Sequence, residues 1–256
     1  MSTSVECTVC GWQGAGFRGG AHSESAFCPR CGSVARDRFL VHCFNARVPY
    51  QRGLRVLETS PRMDQPYRKA MSRWFDYQAS DFDERGHRAN LRIDLQDIAL
   101  EDGSLDVILT PHVLEHVPDT DRALDEVHRV LAPGGWMFLQ VPILQARTAP
   151  PVEPEFHDDD TPVFWRFGFD LTERLRAHGF ETELLCPDEW CDLVRTRARC
   201  WPTEHSAEVD VNGMLSGAIE NDLVPVADRE RARRAGFEPS YMFLTWACQR
   251  RVLTDE

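Results

Sequence analysis

The chain has 256 residues, 42% of them apolar, which suits one α/β domain with a buried core and a small appendage. Net charge is −12 and uneven: residues 1–60 hold seven Lys/Arg against four Asp/Glu, the remainder 22 against 37. So acidic a main domain argues against broad contact with a phosphate backbone and leaves nucleic acid a disfavoured partner.

No apolar run approaches the roughly eighteen residues of a membrane span. MSTSVECTVC lacks the basic and apolar regions of a secretory signal, so a cytoplasmic protein without a membrane partner is expected. In that compartment the nine cysteines read as thiols or metal ligands rather than a disulfide framework.

The first element is CTVCGWQGAGFRGGAHSESAFCPRC. Its pairs Cys7/Cys10 and Cys28/Cys31 are separated by seventeen residues, the spacing of a four-thiolate zinc site. Gly11 and Gly32 follow the pairs and let backbone amides turn toward the sulfurs. So short a segment buries no core of its own, so bound Zn²⁺ would supply its folding energy. Residues 1–40 are therefore read as a zinc ribbon and 41–256 as the main domain. Iron is the lesser alternative for the same donors. Cys43, Cys186, Cys191, Cys200 and Cys248 show no paired spacing and read as small buried hydrophobes.

Gly53 ends a linker, and Leu54–Glu58 forms a first strand. Asp64 caps a helix with Pro66 in its first turn, running to about Ser72. Strands follow at Trp74–Ser80 and Leu91–Asp94. Leu105–Leu109, apolar apart from Asp106, reads as a strand covered on both faces. A helix capped by Asp119 or Thr120 carries Leu124, Val127 and Leu131 on one face. Pro133-Gly134-Gly135 stops it before a strand at Trp136–Val141. Asp170 and Glu173 suggest a capping box, with a helix to Gly179. Phe180–Leu185 and Tyr241–Gln249 complete seven strands. The intervening 186–240 is too long for an ordinary connection and reads as a lid, an acceptor-specificity element or a homodimer surface.

The segments VLETSP, YQASDFD, IDLQDIALEDGSLDVIL, PHVLEHVPD and RVLAPGGWMFLQVP together resemble class I S-adenosylmethionine-dependent methyltransferases of the type 11 group, over about residues 50–185. The resemblance implies a Rossmann-like α/β sheet and S-adenosylmethionine as cofactor. It implies that Glu58 organises the methionine end, Asp81 takes the ribose hydroxyls, and Asp94 with the Leu95 amide reads the adenine. Ser60 and Thr110 stand at the loops that contact the amino-acid part. One departure stands out: that family's first loop is usually Gly-x-Gly, and here it reads Glu58-Thr59-Ser60-Pro61-Arg62. Arg62 can be set toward the cofactor carboxylate or toward solvent.

For chemistry, His112, Glu115 and His116 are spaced to share one helical face after the fourth strand. They read as a structural His–Glu pair, as an acceptor-site base at His112, or as a divalent metal site. His157, in the acidic run Glu153–Asp160, and Trp165 are read as acceptor-pocket lining. His112, His116 and His157 are the catalytic candidates. The implied reaction is methyl transfer to an oxygen or nitrogen of a small-molecule acceptor. The alternatives are an rRNA or tRNA methyltransferase gripping RNA through the ribbon, and a methyltransferase-like scaffold without catalysis.

Overall fold

The structure, a computed structural model, describes residues 4–19, 26–63, 65–83, 89–157, 160–196, 211–237 and 244–252. The chain opens with a small antiparallel pair, β1 (Val5–Glu6) and β2 (Gln13–Gly14), followed by α1 (Ala35–Arg47). The first half of the main sheet comes from β3 (Arg55–Thr59), α2 (Gln65–Trp74), β4 (Asp76–Asp81), β5 (Leu91–Arg92) and β6 (Leu105–Pro111). A 3₁₀ turn at Leu114–His116 leads to α3 (Thr120–Val130) and β7 (Leu131–Gln140). A short antiparallel pair, β8 (Glu155–Phe156) and β9 (Pro162–Val163), precedes α4 (Leu171–Ala177) and β10 (Phe180–Pro187). Then come α5 (Asp188–Thr196), α6 (Val211–Ser216), β11 (Leu223–Ala227), α7 (Arg229–Ala235) and β12 (Thr245–Arg250).

The main sheet has the order β11-β10-β12-β7-β6-β3-β4-β5. All strands but β12 run the same way, since β12 is antiparallel to both its neighbours while the other pairs are parallel. Strand alternation divides the core into two. Met137, Leu139, Leu184, Trp246 and Cys248 face the layer of α3, α4 and α5. Val107, Leu109, Phe138, Leu185 and Ala247 face α1, α2 and α7. No helix among the described residues is long and apolar enough to cross a membrane.

Several expectations differ from the structure. The sheet has eight strands where the sequence reading counted seven. The eighth, β11, comes from the 186–240 segment, so that insertion is partly sheet edge and not only a surface excursion; its Pro225 disguised the strand. The capping box at Asp170 does not form. The Asp170 carboxylate instead accepts from the amide (2.7 Å) and hydroxyl (2.9 Å) of Thr148. The His112–His116 segment is not one helical face: His112 precedes the 3₁₀ turn at φ 51°. Asp119, not Thr120, caps α3, accepting from the Arg122 amide at 3.0 Å. The boundary read at residue 40 falls inside α1. Asp64, Asp158, Asp159, Cys200 and Tyr241 lie outside the described residues.

Candidate methyl-donor site and thiolate centre

Parallel strands deliver their carboxyl ends to one edge of the sheet, where ligands of open α/β folds bind. Here β3 ends at Thr59, β4 at Asp81 and β6 at Pro111. Glu58, 1% exposed, receives hydrogen bonds on one oxygen from Tyr67 (3.0 Å) and Tyr77 (2.7 Å). Burial outweighs these two donors and pushes the carboxyl up to about 7. Ser60 stands where the resemblance leads one to expect a glycine, and it adopts φ 44°, the left-handed region that glycine favours. Its hydroxyl donates to Asp81 at 3.3 Å, bringing two of the predicted cofactor residues together. Asp94 accepts from the amide (2.9 Å) and side chain (3.1 Å) of Gln96, with buried Leu95 between them. Thr110 is buried on β6, and its hydroxyl has no hydrogen-bond partner among the described residues.

A cavity opens between the first loop and the end of β6. It is lined by Arg36, Asp37, Leu40, Glu58, Arg62, Met63, Pro111 and His112. Arg62 thus stands at this cavity. Three of its walls come from α1, which the sequence reading did not assign to the site. The only local signal was charge, Arg36-Asp37-Arg38 on a helix that buries all three.

Beside the cavity lies the histidine cluster. Glu115 is 2% exposed, and burial raises its pKa. Its carboxylate lies 3.5 Å from His112 Nδ1 and 4.0 Å from His116 Nε2, and neither oxygen makes a hydrogen bond to a described residue. His116 Nδ1 is 2.7 Å from the Pro162 carbonyl, which marks Nδ1 as the donor nitrogen. The exposed His157 ring meets His116 edge-on at 4.7 Å. Two histidines therefore flank one carboxylate, and His157 packs on the second of them. Trp165 lies off the cavity, its indole donating to the Pro118 carbonyl at 3.0 Å. The four cysteines are the only group of three or more His, Cys, Asp or Glu whose ligand atoms are all near enough to share a metal, among the described residues.

Those four sulfurs lie within 4.8 Å of one another. Cys7–Cys31 and Cys10–Cys28 are each 3.7 Å apart, against about 3.8 Å for sulfurs at tetrahedral corners 2.3 Å from zinc. The two knuckles match. Gly11 N donates to Cys7 O and Gly32 N to Cys28 O, with both glycines at positive φ. Four thiols this close cannot all ionise without a cation among them, so the donor set fits a zinc ribbon. Missed by sequence spacing is a second thiol pair, Cys186 and Cys191, 4.0 Å apart where β10 meets α5.

Residues 71–139 match the family model described as "Methyltransferase domain". That stretch, from α2 to the end of β7, is similar to a methyltransferase domain. The match takes in Asp81, Asp94, Leu95, Thr110, His112 and His116, and starts after the glycine-free first loop. The chain is 31% identical over 104 residues to an arsenite methyltransferase of Aquipseudomonas alcaligenes, covering 38% of this chain and 28% of that protein. An uncharacterised protein of a Streptomyces fradiae transposon is 47% identical over 49 residues, covering 19% of this chain and 14% of that one. The chain thus spans less than a third of either curated relative. Among solved structures, an S-adenosylmethionine-dependent methyltransferase from Mesorhizobium loti aligns at 19% identity and TM-score 0.47, covering 83% of this chain and 98% of that one. The YcgJ protein of Bacillus subtilis aligns at 12% and 0.48, covering 84% and 99%.

Proposed function

We propose that this methyltransferase domain binds S-adenosylmethionine at the carboxyl ends of β3, β4 and β6 and methylates an oxygen or nitrogen of a small-molecule acceptor, with structural zinc in the ribbon. The observation that carries this reading is the convergence of Glu58, Ser60, Asp81 and Thr110 on that edge, although they come from three strands. Bound there, the cofactor supplies a sulfonium-activated methyl group. The Asp81 carboxylate, steadied by Ser60, accepts from ribose hydroxyls, and Asp94 with the Leu95 amide reads the adenine edge. Glu58 faces the amino-acid end.

Methyl transfer is an in-line displacement, so alignment and a dry pocket do most of the work. Ser60 accepts the backbone conformation that keeps the first loop close without its glycines. A proton-bearing acceptor must also lose a proton, and His112 lines the cavity to take it. His112 Nδ1 lies 3.5 Å from the Glu115 carboxylate, which favours the imidazolium that forms when the ring takes a proton. His116 stands beside the same carboxylate, with the His157 ring against it. The acidic surface charge supports a small acceptor over an RNA backbone.

The test is calorimetric titration of the zinc-loaded chain with S-adenosylhomocysteine. Micromolar binding that Asp81→Ala abolishes is the expected result, and no heat from the wild type ends the reading. Once an acceptor is in hand, His112→Ala should lose turnover at unchanged cofactor affinity; full turnover would remove the base.

A further inference from the structure

The helix α1 joins two places that the sequence keeps apart. At its start stands the thiolate centre: only Gly32, Ser33 and Val34 separate Cys31 from Ala35. The Ser33 hydroxyl lies 3.3 Å from Cys7 Sγ and 3.2 Å from Cys31 Sγ. Two turns of contacts then lock the helix to the ribbon. Asp37 accepts from the Val34 amide at 2.9 Å. Arg38 is fully buried, donating to the carbonyls of Ser33 (2.6 Å), Ala26 (3.0 Å) and Ala235 (2.8 Å), with its guanidinium 3.7 Å over the Phe17 ring. The Thr8 hydroxyl donates back to the Arg38 carbonyl at 2.7 Å.

Between these anchors sits Arg36, 3% exposed, in the wall of the donor cavity beside Glu58, Arg62 and His112. Gln140, at the ligand end of β7, donates to the Arg36 carbonyl at 3.2 Å and so ties this turn to the sheet edge. The lining of the cavity therefore combines two arginines with two acids, Asp37 and the buried Glu58. That pattern fits a zwitterionic amino-acid head, with its ammonium toward the acids and its carboxylate toward the arginines. Of the two arginines, Arg36 is the buried one, where a charge-assisted bond is worth most.

We propose that Arg36 binds the carboxylate of the methyl donor's amino-acid tail, and that the metal centre holds Arg36 in place, making the ribbon a wall of the donor site. This rests on the donor-site reading above. The ribbon's helix thus does the work that glycines in the first loop do not.

The experiment titrates the full chain with S-adenosylhomocysteine and with 5′-methylthioadenosine, which lacks the tail. Wild type, Arg36→Ala and Arg38→Lys are compared with zinc bound, and the first two again after chelation. Arg36→Ala should weaken S-adenosylhomocysteine at least about tenfold and leave 5′-methylthioadenosine nearly unchanged. Chelation should weaken S-adenosylhomocysteine in the wild type and add little to Arg36→Ala. Arg38→Lys, which shortens the fork that anchors α1, should weaken it with zinc still bound and the fold intact by circular dichroism, so the positioning claim survives even if the chelated chain unfolds. Equal S-adenosylhomocysteine affinity in zinc-loaded wild type and Arg36→Ala overturns the proposal. So does full affinity in Arg38→Lys, or losses from chelation and Arg36→Ala that simply multiply. Failure of the zinc-loaded wild type to bind S-adenosylhomocysteine at all defeats the donor-site reading instead.

Discussion

At Glu58 the sequence supplies a carboxylate and the fold decides its protonation. Tyr67 of α2 and Tyr77 of β4 donate to one of its oxygens at the end of β3. Burial lifts its pKa from an ordinary 4.5 to about 7, so the folded chain holds the proton more tightly than the unfolded chain. The contribution to stability is therefore full below pH 4.5, falls through the interval to about 7, and is gone above it. Its upper bound is about 3 kcal/mol. Urea unfolding at pH 5 and pH 8 should show the wild type losing more stability over that span than Glu58→Gln. Parallel losses in the two proteins would mean that Glu58 titrates normally. Glu115, also raised by burial, adds a slope of the same sign in both and so cancels from the comparison.

Among the elements, α7 binds the ribbon to the main domain. Its Arg231 and Arg234 reach Glu6 on β1 at 3.1 and 3.4 Å, and its C-terminal carbonyl at Ala235 accepts from Arg38. Gly236 ends the helix at φ 72°, and a Cβ there would lie 2.8 Å from Arg38 Nη2 and 3.0 Å from the Phe17 ring. Gly236→Ala thus combines left-handed strain with a clash in the joint, and should destabilise the fold by about 1–3 kcal/mol. Thermal unfolding checks this; a variant as stable as the wild type would show that the joint yields freely. The half-exposed ion pairs to Glu6 contribute little beside this packing.

For the whole molecule, the ribbon and sheet share a core. Phe237 packs edge-on against Phe39 of α1 at 5.1 Å, and α1 lies across the same face as Phe138 and Ala247. Ribbon folding is therefore linked to the stability of the sheet. Removing metal from the four-thiolate site should lower the melting temperature of the entire transition, and not merely erase a small early one, because metal binding and folding share one free energy. Calorimetric scans with and without chelator decide this. An unchanged main transition would make the ribbon an independent bead.

How much of this was legible in the sequence follows from the range of each interaction. The Cys-x-x-Cys pairs with their glycines and the apolar strands are local patterns, so the thiolate cluster and most of the sheet's strands could be read directly. Asp81 and Asp94 were singled out by the family resemblance; Asp81 ends β4, whereas Asp94 lies in the loop beyond β5. Other features depend on contacts between distant residues. Pro225 masked an edge strand that only pairing with β10 reveals. The helical spacing of His112, Glu115 and His116 predicted a shared helix face, whereas a left-handed His112 brings the same residues together by another route. Arg36 had no motif at all. Sequence by itself determined which groups are available and which strand ends hold them, because propensity and periodicity are local. Tertiary structure alone decided that a helix starting beside the four-cysteine cluster lines the cavity at the strand ends, because that placement depends on burying α1 against a sheet assembled from residues up to two hundred positions away.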